Sequence, residues 1–340
     1  MEIEKILARA IKYTGGLHLL DRYWGKNRLT VLAHHRITDP KARDFVGFVS
    51  NVSATPEAFE EQIDWVSKHF NVIDLATLHA HIVDEKALPE RALLITFDDG
   101  YMDNYTNALP VLKKYGLPAV IFIVTGSMDN PSPLWWDICS ESFRQTTKTQ
   151  ATLPLIGEQI IATAKLKYSV ERQMIGALKR VAEHEKQANV EDLQRVLDVT
   201  LPNTQMFFGW EQVQELVANG IACQPHTVTH PILTRIPEDE MRRQVADSRQ
   251  QVIERSGQEV LAFAYPNGST ADYSLSAMQA LSDSGYDMAF TLVSGPMPVK
   301  DIRQHPYQIK RVYLSRRDSM AIFQMKVLGV PALLERGKYL

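Results

Sequence analysis

Short apolar runs alternating with helical periodicities set the pattern of this chain. Residues 29–33, 93–97, 119–124, 262–265, 289–292 and 309–313 are rich in apolar and β-branched side chains, as in strands covered on both faces, and a further strand enters Pro225. Between them apolar residues recur every three or four positions. Phe59, Ile63, Val66 and Phe70 follow the capping-type start Thr55-Pro56; a helix about 107–115 stops at Gly116-Leu117-Pro118; further helices cover 210–219 and 238–256. Strand, helix, strand in this order is the signature of a parallel α/β sheet. The rhythm stops near Pro131. From there to 202 polar and charged residues are denser, with helical spacing at Met174, Leu178 and Val181 and again at Val190, Leu193 and Leu197. This predicts an inserted, mostly helical lobe over 131–202 within a domain spanning 29–320. Ile3, Ile6, Leu7, Ala10 and Ile11 predict an amphipathic helix within 1–28, and residues 321–340 a helical tail.

Composition narrows the class. With 340 residues, 45% of them apolar, the chain can bury a large core without disulfides or a structural metal. A net charge of -3 with no basic block argues against a nucleic-acid partner. Cys139 and Cys223 have no metal-type spacing and form no disulfide framework. Residues 1–9 mix charged and apolar side chains without the apolar core of a secretory leader, and the longest apolar run, 119–124, is too short to cross a bilayer. The expectation is a cytoplasmic protein. The 3–11 helix and the apolar stretch 322–328 could add peripheral contact with the inner face of the membrane.

The chemistry concentrates at strand ends. Leu93-Leu94-Ile95-Thr96-Phe97 runs straight into Asp98-Asp99-Gly100, where α/β folds place their active groups. Turn propensity alone explains an Asp-Gly pair, but two carboxylates at a buried strand end repel unless a cation or a proton offsets them. Pro225-His226-Thr227-Val228-Thr229-His230-Pro231 offers two imidazoles four residues apart in a proline-bounded turn. One aspartate with two histidines is a three-ligand set that leaves coordination positions open, and the other aspartate can act as a base. Together they predict a metal-dependent hydrolase. His34-His35 ends the first strand; alternation sends the two rings to opposite faces, so at most one faces a site. Trp135-Trp136 could stack on a sugar ring, although core packing is the commoner use of large aromatics.

Thr96-Phe97-Asp98-Asp99-Gly100-Tyr101 with Asp103-Asn104, followed by His226-Thr227-Val228-Thr229-His230, resembles the NodB-type polysaccharide deacetylases. Weaker echoes lie in Leu32-Ala33-His34-His35-Arg36-Ile37, Ala264-Tyr265-Pro266-Asn267-Gly268 and Lys310-Arg311-Val312. The resemblance implies a distorted (β/α) barrel of about seven parallel strands. It implies Asp98 as catalytic base and Asp99, His226 and His230 as ligands of one divalent metal ion, zinc first, with cobalt, nickel or iron suiting the same set. In the branch acting on exopolysaccharides it implies His35 as general acid, with His34 where relatives carry tyrosine. The arginine that orients the base in many relatives is absent from Phe263-Ala264-Tyr265, and Arg311 is its substitute. Tyr265 and Asn267 fall where substrate and oxyanion contacts are expected, with Trp135 a further substrate contact. The implied activity is removal of N-acetyl groups from an amino sugar in a polysaccharide, oligosaccharide or lipid-linked glycan. Alternatives are an amidohydrolase for a small cytosolic amide or sugar nucleotide, and an inactive glycan-binding homologue.

Overall fold

The apolar runs become strands that lie side by side. In the computed structural model, which describes residues 27–130, 132–201 and 204–330, these are β1 (Arg28–His34), β2 (Ala92–Asp99), β3 (Ala119–Ile123), β4 (Ile221–Pro225), β5 (Ala262–Ala264), β6 (Met288–Ser294) and β7 (Ile309–Tyr313). They pair in parallel in the order β5-β6-β7-β1-β2-β3-β4. Among the described residues the α-helices of seven or more residues are α1 (Pro56–His69), α2 (Leu75–Val83), α3 (Leu109–Tyr115), α4 (Trp135–Gln145), α5 (Ala164–Leu178), α6 (Glu183–Leu197), α7 (Trp210–Ala218), α8 (Glu238–Ser256), α9 (Leu275–Asp283) and α10 (Met320–Val327). The result is a distorted, nearly closed (β/α) barrel with an inserted lobe.

Register decides what faces inward. Val31 pairs with Leu94, Asp98 with Phe122, and Phe122 with Gln224, so these positions share the inner face. Val31, Leu94, Val120, Phe122, Ala264 and Phe290 fill the interior, whereas Leu32, Ile95, Phe97 and Ile121 pack outward under the helices. Phe59, Ile63 and Val66 of α1 meet that outer layer, and the Thr55 hydroxyl caps the helix by accepting from the Ala58 N–H at 3.3 Å.

The barrel closes through side chains. No ladder joins β4 to β5; the buried Gln224 spans the seam instead. Its Oε1 accepts from the N–H groups of Leu261 (2.9 Å) and Ala262 (3.0 Å), and its Nε2 donates to the Glu259 carbonyl at 3.0 Å. Gln224→Ala strands two buried donors and is expected to cost about 2–4 kcal/mol, measured as a lower urea midpoint with an unchanged m-value.

The insertion folds on its own apolar centre. Met174, Leu178, Val190, Leu193 and Leu197 are fully buried there with Cys139 and Phe143. Val181 lies past the end of α5 and does not join them. A β-hairpin, Gln150–Leu153 against Gly157–Ile160, interrupts the helices; Ala151 and Leu153 turn toward the lobe's apolar centre, and the second strand is largely exposed.

The apolar stretch after 320 corrects the membrane expectation for that segment. Ile322, Phe323, Met325 and Val327 of α10 are buried, and the Phe323 ring meets Trp65 of α1 edge-on at 5.9 Å. These side chains complete the barrel's outer layer, so none is free for a lipid surface. The predicted 1–28 helix lies outside the described residues but for Asn27 and the start of β1. Among the described residues no helix is long and apolar enough to cross a membrane.

Candidate active site

Parallel strands point their C-terminal ends the same way, so the groups at those ends converge on one mouth. His35, Asp98, Asp99, His226, His230 and Asn267 all line a single cavity of about 250 Å³, walled on its far side by Trp135, Lys179 and Lys186 of the lobe.

On β2, Leu94, Thr96 and Asp98 point inward, and strict alternation would send Asp99 outward with Phe97. Asp99 instead takes a φ of 77°, in the left-handed region, which breaks the alternation and brings both carboxylates to the mouth. Asp98 meets Arg311, an inward residue of β7 with no solvent exposure. The guanidinium donates to both carboxylate oxygens at 2.7 and 2.9 Å, and its Nε to the Thr291 carbonyl at 2.9 Å. Burial works against ionisation of Asp98, but Arg311 first, with His226 and His35 added, together outweigh it and hold the carboxyl below its usual range.

Asp99 has no such partner. Its Oδ1 is buried without a hydrogen bond, 3.5 Å from His230 Nε2 and 3.7 Å from His226 Nε2. One ligand atom from each of the three residues lies within 4.8 Å of the others. Two atoms sharing a tetrahedral cation at about 2.1 Å stand about 3.4 Å apart, so the spacing fits a shared ion better than a direct hydrogen bond. Burial, reinforced by the Asp98 charge, pushes the Asp99 carboxyl well above its ordinary pKa; burial pulls both imidazoles below theirs, leaving them neutral, the form that ligates. The His226 Nδ1 lies 2.7 Å from the Ala264 carbonyl, so donating there leaves Nε2 for a ligand bond. A buried carboxylate oxygen without a donor, opposite two neutral imidazoles, fits a divalent cation.

The histidine turn is held from three sides. Thr227 and His230 both have positive φ, 67° and 60°, and the Thr227 hydroxyl accepts from the His230 N–H at 2.9 Å. Gln244 of α8 accepts from the N–H groups of Val228 (3.0 Å) and Thr229 (3.1 Å). Gly126 packs so closely that a Cβ there would lie 2.7 Å from the Val228 carbonyl oxygen. From the lobe, the Trp136 ring packs on His230 with centroids 4.7 Å apart; its Nε1 donates to the Tyr101 hydroxyl (2.7 Å), which donates to Asp137 (2.8 Å).

The two N-terminal histidines separate as alternation requires. His34 is fully buried, with its ring between Phe59 and Phe97, and burial lowers its pKa to about 4. His35 faces the cavity with Nε2 3.9 Å from Asp98 Oδ2. Burial lowers it to about 4 as well, against the opposing pull of Asp98. Its backbone is pinned by Asn104, which donates to the His35 carbonyl at 2.7 Å, and by Ser53, which accepts from its N–H at 2.9 Å. Asp103 fixes the next two residues through the Ile37 N–H and the Arg36 guanidinium.

Among the expected substrate contacts, Tyr265 does not reach the site. Alternation on β5 turns Ala262 and Ala264 inward and Phe263 and Tyr265 outward. The Tyr265 ring is buried against Tyr273, its hydroxyl donates to the Tyr307 carbonyl at 3.1 Å, and its N–H is used by Phe290. Asn267 does line the cavity, with a φ of 64° and its Oδ1 accepting from Lys179 Nζ at 2.6 Å. Trp135 lines it too, half-buried beneath the Lys186 ammonium 5.0 Å from the ring centroid, and the buried Trp136 adds an edge to the same wall while packing in the lobe's core. Lys179, Lys186 and Gln244 lie in none of the sequence motifs, whereas Tyr101 closes the aspartate motif. The lysines reach the site from the lobe and Gln244 from α8, and only the inserted position of the lobe hinted at the lysines.

Comparison with known proteins agrees with this layout. The sequence pattern of the family described as Polysaccharide deacetylase matches residues 85–289. The Bacillus subtilis protein YxkH is 22% identical over 269 residues, covering 79% of this chain and 66% of that protein. A poly-beta-1,6-N-acetyl-D-glucosamine N-deacetylase of Staphylococcus epidermidis is 34% identical over 108 residues, 29% of this chain and 37% of the relative. The match thus spans only part of the length of these curated relatives. The solved structure of the Streptococcus pyogenes deacetylase PplD in complex with acetate superimposes with a TM-score of 0.58 at 16% identity, covering 89% of this chain and 99% of that one, and so shares the fold.

Proposed function

The chain belongs to the polysaccharide deacetylase family, and from that premise we propose that it is a metal-dependent hydrolase removing the acetyl group from an N-acetylated amino sugar of a glycan. The observation that carries this reading is the meeting, in one cavity, of a buried Asp-His-His cluster and a second aspartate clamped by an arginine. Asp99, His226 and His230 would hold one divalent cation, zinc first and cobalt, nickel or iron within the same ligand set. Bound there, the ion lowers the pKa of a water and polarises the acetyl carbonyl.

The chain's own residues do the rest. Asp98 stays ionised beside Arg311, with both oxygens fixed, and accepts a proton from the attacking water. A backbone N–H near Asn267 stabilises the developing oxyanion. His35 is neutral at rest and 3.9 Å from Asp98, so the proton taken by Asp98 has a short path to the ring that faces the leaving nitrogen. Trp135 offers its face to a sugar ring. All four charged or ligating groups at the centre are intact, which favours a working enzyme over an inactive glycan-binding homologue.

The reading is tested by acetate release from β-1,6-linked N-acetylglucosamine oligomers and from N-acetylglucosamine; no acetate from any N-acetylated sugar would overturn it. The acid role gives a sharper result. An amine must be protonated as the C–N bond breaks, whereas a phenolate leaves unaided. His35→Ala is therefore expected to lower amide hydrolysis by about 10²-fold or more while sparing an activated aryl acetate. Equal losses on both substrates would remove His35 from that role.

A further inference from the structure

A second cavity, of about 350 Å³, opens beside the catalytic one; Phe48, Ser50, Ile175, Lys179 and Tyr313 line both. The remaining wall of the second cavity carries three guanidinium groups: Arg172 from α5, and Arg316 and Arg317 from the loop after β7. No carboxylate lines it, and none of the three arginines, nor Lys179, is ion-paired among the described residues. Arg317 donates to the Tyr168 hydroxyl at 2.7 Å, on the same wall. Burial works against ionisation of Tyr168, but Arg172 and Arg317 outweigh it and hold the phenol below its ordinary pKa. The three arginines are exposed, and with Lys179 they give this wall four cationic side chains and no anionic one.

Lys179 sits at the junction, half-buried, with an amide oxygen of Asn267 as its hydrogen-bond partner. Like charges gathered on one concave wall repel, and burial disfavours the Lys179 ammonium, which the Asp272 carboxylate offsets only in part while Lys186 and Arg235 oppose it. Both costs fall when an anion enters. A single carboxylate satisfies one arginine fork; a phosphate or diphosphate group has the oxygens and charge to satisfy several. The lobe insertion and the end of β7 thus build a cationic subsite one step from the ligand cluster. A neutral polymer such as N-acetylglucosamine chains has no group that uses it.

We propose that the amino-sugar substrate carries a phosphate or diphosphate ester, bound by Arg172, Arg316 and Arg317, with Lys179 between that group and the N-acetyl end at Asp99, His226 and His230. This rests on the deacetylase reading. The same chemistry can come from a nucleoside diphosphate sugar or from a sugar on a polyprenyl diphosphate lipid.

Calorimetry on the full chain with N-acetylglucosamine, N-acetylglucosamine 1-phosphate, UDP-N-acetylglucosamine, and vesicles with and without undecaprenyl diphosphate N-acetylglucosamine tests it. Phosphorylated sugars are expected to bind at least about 10-fold more tightly than the neutral sugar, with a preference that falls as salt rises. The R172A/R316A/R317A variant should bring the phosphorylated sugars to the affinity of the neutral one. Tighter binding of the nucleotide, or of the lipid-bearing vesicles alone, identifies the carrier and supports the proposal. Equal affinity of neutral and phosphorylated sugars for the wild-type protein, or a preference unaffected by salt, overturns it even if the variant does not fold. Acetate release is measured in parallel. Tight phosphate-dependent binding without acetate overturns the deacetylase reading and leaves the subsite standing; acetate release without phosphate preference does the reverse.

Discussion

Asp98→Asn is expected to lower kcat for N-acetylated sugars by about 10²–10⁴-fold while metal content stays at the wild-type level. The substitution keeps the shape of the side chain and leaves Asp99, His226 and His230 in place. It removes the group proposed to take the proton from water, because an amide is not a base at neutral pH. It also turns an NH₂ toward the buried Arg311, which then has one acceptor where it had two. Leaving a buried guanidinium short of its counter-charge costs about 3–5 kcal/mol. Denaturant unfolding measures that loss, and kinetics taken well below the variant's midpoint separate it from the catalytic loss. Wild-type kcat in this variant would mean that the base lies elsewhere.

The second large effect concerns the ligands. His226→Ala, His230→Ala and Asp99→Asn are each expected to drop bound metal from about one equivalent to a small fraction, and activity with it. Asparagine is the better probe at position 99 because it tolerates the φ of 77° where alanine is strained. Elemental analysis after gel filtration reads the result; full occupancy in any of the three would remove that residue from the ligand set. Gly126→Ala is a useful companion. The new methyl group presses on the Val228 carbonyl oxygen, which shifts the histidine turn without touching a ligand and should weaken metal affinity in part.

Much of this site is legible in the sequence, and the reasons are local. The run 93–97 is apolar on both faces, so it had to be an interior strand, and an interior parallel strand ends at the active mouth. Period-two alternation separated His35 from His34, and the structure buries His34 between two phenylalanines. The same alternation, applied to Ala262-Phe263-Ala264-Tyr265, would have turned Tyr265 into the outer core; the adjacent Pro266-Asn267 motif drew it toward the site instead. The apolar stretch 322–328 reads equally well as a membrane face or as a core face, and only tertiary packing on α1 distinguishes the two.

Other features left no local trace. Gln224 looks like any polar strand residue until the register shows that it faces an unpaired seam. The turn residues Asp99, Thr227, His230 and Asn267 adopt positive φ without glycine; Asp, His and Asn tolerate that region, whereas the β-branched Thr227 is held there by its surroundings. Lys179 just follows α5 and Lys186 belongs to α6, helices whose periodicity announced only a lobe with its own apolar centre. Their meaning depends on where the lobe docks, which is a property of the whole fold.

The central claim is a single metal centre that hydrolyses N-acetyl groups. Its most direct test is to strip the protein with a chelator, titrate zinc back, and follow acetate release from an N-acetylated amino sugar together with bound metal. Activity is expected to vanish on stripping, return in proportion to added ion, and level off at about one equivalent per chain. Undiminished acetate release from protein shown to hold no metal would contradict it.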